Sequence, residues 1–268
     1  MKNKKIFLTI IFAFSLFFRL FKINNQSNLF SILLTSFIPI IIYFLIKEIN
    51  QKAYKTAIIA AIIATINPYL IYFSRYNEKN ILFILGLLIV FLLFFKYFNQ
   101  KSKKYLLFSV FILITTIFYS LFFNSNAKTL NLFSYHRPQT ETQTIISETN
   151  KNDYYLFHNQ SLFFLRNFSS RYFNYFSPRF LIFEGDWQNT QYYHPYIGVI
   201  LYPSLIFLII GFFVSLTRSK LDRLNLFFIL WLLITPIPAA LNQDLINSSL
   251  SLPLSIPLIY FISLGIYF

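Results

Sequence analysis

The chain has 268 residues, 56% of them hydrophobic and 12% charged, with a net charge of +14 and no cysteine. A soluble domain carries about 25% charged residues, so this composition excludes an ordinary soluble globule, and the missing cysteines exclude a disulfide framework or thiolate metal site. The three histidines, His136, His158 and His194, are scattered and lack paired metal-ligand spacing.

The N-terminus, MKNKKIFLTIIFAFSLFF, has the basic start and apolar run of a signal peptide. It has no small-x-small cleavage site and continues through Arg19 and Leu20, so it is read as an uncleaved first span. Spanning a bilayer takes roughly 20 apolar residues. Apolar runs at about 6–22, 28–46, 53–73, 80–98, 105–123, 197–216, 224–241 and 253–268 approach or meet that length, with ionisable residues in the gaps. The expected fold is an all-α polytopic membrane protein of about eight transmembrane helices. Five form an N-terminal bundle over 1–123, an extracytoplasmic loop with interfacial helices fills 124–196, and three helices follow over 197–268.

Basic residues give the orientation. Alternate short loops hold Lys2, Lys4, Lys5, Lys47, Lys52, Lys55, Lys96, Lys101, Lys103, Lys104, Arg218, Lys220 and Arg223, with only Glu48 and Asp222 as acids. By the positive-inside rule that side is cytoplasmic, so the N-terminus is inside and the long segment faces out of the cell membrane. The same rule accounts for most of the positive charge, and no nucleic-acid partner is expected.

Within the outer segment, Leu162, Leu165, Phe168, Tyr172 and Phe176 recur at three- and four-residue steps, with Arg166 and Arg171 between them. This spacing predicts an amphipathic helix lying in the membrane interface, broken by Ser177 and Pro178. Stretch 124–153, rich in Asn, Ser and Thr, reads as a polar loop.

Several outer residues carry possible chemistry. Arg75 and Glu78, spaced i,i+3, are either a snorkelling loop pair or a lipid-phosphate site in which the planar guanidinium grips oxygens bidentately. Glu184 and Asp186 flank Gly185; two carboxylates this close can bind a divalent cation or supply a base, and a polar turn before Trp187 explains them too. His194, ahead of Pro195, is a further candidate base or ligand, or a packed side chain. Pro236 and Pro238 end the seventh span in PIPAAL, either as a pocket rim or as a helix terminus.

Three of these stretches, taken in order, resemble the GT-C glycosyltransferases of the protein-mannosyltransferase and aminoarabinose-transferase kind. The first is Pro68, then Phe73, Ser74 and Arg75, then Glu78, Lys79 and Asn80. The second is FSPRFLIFEGD at 176–186, followed by His194 and Gly198, and the third is PIPAAL at 236–241. The resemblance implies transfer of a sugar from a polyprenyl-phosphate-linked donor, held in membrane lipid, to an acceptor on the extracytoplasmic face. It implies inversion by direct displacement, an acidic residue deprotonating the acceptor and basic residues or a metal steadying the departing phosphate. Arg75 fits the phosphate role, with Glu78 and Asn80 in support.

The chain also departs from that family. The family's Asp-Glu pair lies in a long outer loop between the first two spans, whereas RLFKINNQSNLF at 19–30 joins them directly and holds no acid. LINSSLSLP at 245–253 stands where a later basic motif is usual. Either Glu184 or Asp186 replaces the base, or the chain is a catalytically inactive relative that binds lipid-linked sugar or partners an active enzyme, or it is an incomplete gene product. A transporter or flippase would need ionisable groups within the spans, which the apolar runs nearly lack.

Overall fold

The computed structural model describes residues 2–21, 29–76, 78–123, 138–148, 159–187, 198–217, 222–242 and 245–268. Its elements are helical. Helix α1 (Lys2–Leu20) is followed by α2 (Leu29–Thr35) and α3 (Ile38–Ile49), then α4 (Tyr54–Ile66), α5 (Pro68–Tyr76), α6 (Glu78–Gln100) and α7 (Lys103–Phe123). Beyond these come α8 (Gln139–Glu148), α9 (Gln160–Asn174), α10 (Ser204–Thr217), α11 (Arg223–Ile234), α12 (Pro236–Ala240), α13 (Ser248–Ser251) and α14 (Ser255–Tyr267).

Among the described residues, four helical segments are long and apolar enough to cross a membrane: Leu29–Ile49, Asn80–Gln100, Arg223–Ala240 and Ser248–Tyr267. A fifth arises if the bent pair of 51–66 and 68–75 counts as one span. Four of the eight expected spans are therefore met directly and the 53–73 run is met as a broken helix. The 6–22 and 105–123 runs are helical as α1 and α7. The 197–216 run is shorter than expected, because its helix begins only at Ser204 and has 14 residues. The residues before it bend and turn instead: the amides of Gly198 and Ile200 donate to the carbonyls of Ile182 and Leu181, both at 2.9 Å. This pairing occupies backbone groups that a helix would have used itself.

The break in the third span has a local cause. Proline excludes α conformation from the residue before it, and Asn67, ahead of Pro68, is extended with ψ 119°. Its side chain then caps the new helix, Oδ1 accepting from the Leu70 amide at 2.9 Å. The axis bends by 51° at this point.

Helix α14 is the centre of the bundle. Every residue from Ser255 to Gly265 is buried, as expected of a helix that is apolar all round. It packs on α10, α4 and α11. Against α10 the contact is backbone on backbone: a Cβ on Gly211 would lie 1.8 Å from the Phe261 carbonyl oxygen, and one on Gly265 would lie 1.9 Å from that of Phe207. Small residues give α4 a similar close face, with Ala57, Ala60, Ala61 and Ala64 all fully buried at i, i+3, i+4 and i+7.

Polar contacts collect at two ends of this bundle. At one end Asn50 donates to Asp222 at 2.6 Å, Asn99 donates to the Glu48 carbonyl and carboxylate at 2.7 and 3.1 Å, and Lys55 lies over the Tyr267 ring. These are the loops that the sequence assigns to the basic side. The candidate site occupies the other end.

Candidate functional site

Arg75 closes the last turn of α5 and reaches the end of α1. Its Nε donates to the Arg19 carbonyl at 3.0 Å and its Nη2 to the Phe18 carbonyl at 2.5 Å. The last carbonyls of a helix have no partner within it, and that end carries partial negative charge. Arg75 thus satisfies both the hydrogen-bonding and the electrostatic demand of the α1 terminus. Arg19 is fully buried, its Nη1 donating to the Ser15 carbonyl at 3.2 Å and to the Ser15 hydroxyl at 2.5 Å. Its Nε and Nη2 have no hydrogen-bond partner. Two guanidinium groups are therefore neighbours at one end of the bundle. Asn80 is half-buried in the first turn of α6, while the Glu78 side chain lies outside the described residues.

Helix α5 also reaches the second part of the site. Tyr69 sits six residues before Arg75, about 9 Å along a helix that rises 1.5 Å per residue. Its hydroxyl donates to the Ser248 carbonyl at 3.0 Å. Ser248 is in turn held by Asp186, which is buried at 2% exposure and whose Oδ2 accepts from the Ser248 amide at 3.0 Å and from the Ser248 hydroxyl. Tyr175 completes the clamp, its hydroxyl accepting from the Asn247 amide at 2.8 Å. Asp186 thereby anchors the start of α13 from a position 62 residues away in sequence.

The approach to Asp186 is built by the break at Pro178. After α9, residues Arg179–Phe183 form one π-helical turn, closed by the Glu184 amide donating to the Arg179 carbonyl at 2.8 Å. Such turns are uncommon and tend to re-aim the chain. Gly185 follows with φ 61°, a left-handed conformation that glycine adopts without strain. The two carboxylates on either side of it consequently diverge. Asp186 turns inward to Ser248, and Glu184 turns outward to Arg179, pairing with Nε at 2.6 Å. The Arg179 guanidinium also lies 4.2 Å from the centre of the Trp187 ring. Among the described residues no group of three His, Cys, Asp or Glu side chains could hold a metal ion. His194 lies outside the described residues.

The helix expected over 161–176 is present as α9, one residue longer at its start and ending at Asn174. Asn159 caps it by accepting from the Leu162 amide at 2.8 Å. Phe168 and Tyr172 pack toward the core while Leu165 and Phe173 stay exposed. Tyr172 donates to the Leu233 carbonyl at 2.8 Å, and burial pushes its hydroxyl pKa up. Arg171 donates to the Asn242 carbonyl at 2.5 Å, so this helix is fastened to the end of the PIPAAL stretch.

Sequence reasoning missed Arg19, Tyr69, Ser248 and Tyr175 as members of the site. Arg19 had a visible signal, an ionisable residue at the edge of an apolar run. The other three are polar groups whose partners come from distant segments.

Residues 8–124 match the family model described as dolichyl-phosphate-mannose-protein mannosyltransferase. The match takes in α1 to α7, with both arginines, and covers less than half of the chain. No curated protein and no solved structure matches.

Proposed function

Proceeding from a GT-C glycosyltransferase-like protein, we propose that this chain transfers a sugar from a polyprenyl-phosphate-linked donor to an acceptor at the extracytoplasmic face of the cell membrane. The observation that carries the reading is the family match over 8–124, which includes Arg19 and Arg75. A lipid-linked donor needs a protein that meets its phosphate at the membrane edge, and guanidinium groups suit phosphate because they stay charged and present a planar fork. In this reading the N-terminus is cytoplasmic, and the end holding Arg75, Asn80 and Asp186 faces outward.

Of the two outer carboxylates, Glu184 is the one an acceptor can reach, being only partly covered and hydrogen-bonded to a surface arginine. It is the base of this proposal. Asp186 is a positioning residue, because its oxygen holds Ser248. The test is transfer of radiolabelled mannose or aminoarabinose from a short polyprenyl-phosphate donor by purified protein in nanodiscs. Glu184→Gln should lower turnover about 10²–10⁴-fold, the usual share of general base catalysis. Turnover unchanged by that substitution rejects Glu184 as the base.

A second reading is favoured by two observations: residues 19–30 hold no acid, and Asp186 is engaged by Ser248. A chain that binds lipid-linked sugar without turning it over would show donor binding with no transfer in the same assay.

A further inference from the structure

The end of the bundle opposite the candidate site holds a cavity of about 270 Å³, lined by Ile49, Phe95, Phe98, Asn99 and Arg223. Ile49 ends α3 and Arg223 opens α11. Phe95, Phe98 and Asn99 recur at i, i+3 and i+4 and so share one face of α6. One turn further into the bundle, Phe227 packs edge-on against Phe91 and Phe95. Helices α6 and α11 therefore meet at that level and part toward the basic end. The cavity has an apolar inner wall, where Ile49 and Phe95 are half-buried, and a polar mouth, where Asn99 and Arg223 are exposed.

Nothing within the fold accounts for Arg223 at that mouth. The acids of this end are engaged by amides: Asp222 accepts from Asn50 at 2.6 Å and Glu48 from Asn99 at 3.1 Å. Among the described residues Arg223 makes no ion pair and its guanidinium no hydrogen bond. A cation in the first turn of a helix also opposes the helix dipole, so it does not serve α11. The positive-inside rule asks for charge on this side; it does not ask for an apolar cavity beside the charge. The volume lies below the roughly 300–1,000 Å³ of pockets that enclose a drug-sized ligand, so an occupant enters in part and leaves the rest outside.

We infer that this cavity is the receptor for an anionic glycerophospholipid of the leaflet facing the basic loops. One acyl chain lies against Ile49, Phe95 and Phe98, and the phosphodiester rests on Arg223. The guanidinium selects an oxoanion, and the apolar wall selects one carried on an acyl chain. The neighbouring Lys101, Lys103 and Lys104 favour a lipid of net negative charge over a zwitterion. Such a lipid would supply the charge that Glu48 and Asp222, held by Asn99 and Asn50, do not give to Arg223. The site stands at the far end from the one assigned to sugar transfer and does not depend on that function.

The experiment uses the full chain, delipidated in detergent, with binding followed by native mass spectrometry and thermal unfolding. The probes are dioleoylphosphatidylglycerol, dioleoylphosphatidylcholine and glycerol 3-phosphate. Phosphatidylglycerol is expected to stay bound and to raise the unfolding temperature, and the other two are not. Arg223→Gln should weaken its binding about tenfold, and Arg223→Lys, which keeps the charge and loses the planar fork, by a smaller factor. Ile49→Phe fills the cavity without touching any charge and should also weaken binding. Lys104→Gln removes a charge of the same face from outside the cavity and should bind as the parent does. Parental affinity in both Arg223→Gln and Ile49→Phe overturns the inference, as does a loss in Lys104→Gln equal to that in Arg223→Gln, which would mark a diffuse basic surface. Equal retention of phosphatidylcholine, or an equal response to glycerol 3-phosphate, overturns it too. If Ile49→Phe does not fold, the comparison of Arg223→Gln with Lys104→Gln decides. Sugar transfer enters none of these readouts, so failure here leaves the proposed function standing, and absence of transfer leaves this site standing.

Discussion

Asp186 holds Ser248 twice through a single carboxylate oxygen, by the amide at 3.0 Å and by the hydroxyl. The contact joins the segment after α9 to the start of α13, and Tyr69 grips the same residue through its carbonyl. A buried acceptor carrying this much connection has a measurable share in stability. Asp186→Ala should lower it by about 1–3 kcal/mol, since two donors lose their partner. Ser248→Ala should lose less, and the double variant should fall short of the sum by about 0.5 kcal/mol or more, as contacting pairs do. Urea or thermal unfolding in detergent measures this. Full additivity would dissolve the proposed coupling.

Arg75 makes a second prediction, separate from any role in binding. With its guanidinium removed, the Phe18 and Arg19 carbonyls lose their donors. Arg75→Ala should therefore fray the last turn of α1 and lower stability by about 1–3 kcal/mol. Hydrogen–deuterium exchange should accelerate in the last turn of α1 and stay unchanged in α14. An α1 terminus with unaltered exchange would show that the helix closes without Arg75.

These two residues show how far the sequence could be read. The i, i+3 and i, i+4 aromatics of 161–176 and the alternation of basic loops are local patterns, and both reappear, as α9 and as two polar ends of one bundle. The proline and serine at 177–178 announced a break. What they could not announce was a π-helical turn that sends Glu184 and Asp186 to different partners. The stretch 245–253 drew notice only for a motif it lacks, yet it supplies Ser248 and the Asn247 amide. Arg75 was legible as a cation suited to an anion, but its observed partners are carbonyls 56 and 57 residues away. Periodicity reports which face of an element is apolar; it says nothing of which polar group will lie opposite once elements pack.

The glycines of α10 and α14 give a third prediction, with an internal control. Gly211→Ala and Gly265→Ala each place a methyl group against a backbone carbonyl, at 1.8 and 1.9 Å. Neither carbonyl can rotate away without moving its helix, so the pair must separate along the most buried helix of the fold. Overpacking of this kind typically costs about 1–3 kcal/mol and sometimes more. At Gly86 the obstacle is the Thr116 side-chain methyl at 2.1 Å, which can change rotamer. Gly86→Ala should therefore be milder than either of the others. Ranking the three by unfolding temperature checks the order, and an equal loss at Gly86 would contradict the distinction between backbone and side-chain obstacles.

The last prediction concerns the bend at Asn67 and Pro68, which aims α5 at both halves of the site. Asn67 has two functions in one side chain: Oδ1 caps α5 through the Leu70 amide, and Nδ2 donates to the Val199 carbonyl at 3.1 Å. The two can be separated. Asn67→Asp keeps an acceptor for the cap and loses the donor to Val199, whereas Asn67→Ala loses both. The cap alone is worth about 0.5–2 kcal/mol and the hydrogen bond to Val199 about 0.5–1.5 kcal/mol, so Ala should be the more damaging substitution. Pro68→Ala relieves the restriction on Asn67 and lets α4 and α5 approach a straight helix. Straightening would carry Tyr69 and Arg75 away from the Ser248 carbonyl and the α1 terminus together. Cysteines installed at Tyr69 and Ser248 in the otherwise cysteine-free chain should be joined readily by a short bifunctional thiol reagent, which spans the space the Tyr69 ring fills, with Pro68 present and poorly with Pro68→Ala. Equal cross-linking in both would mean that tertiary contacts, and not the proline, hold the 51° bend.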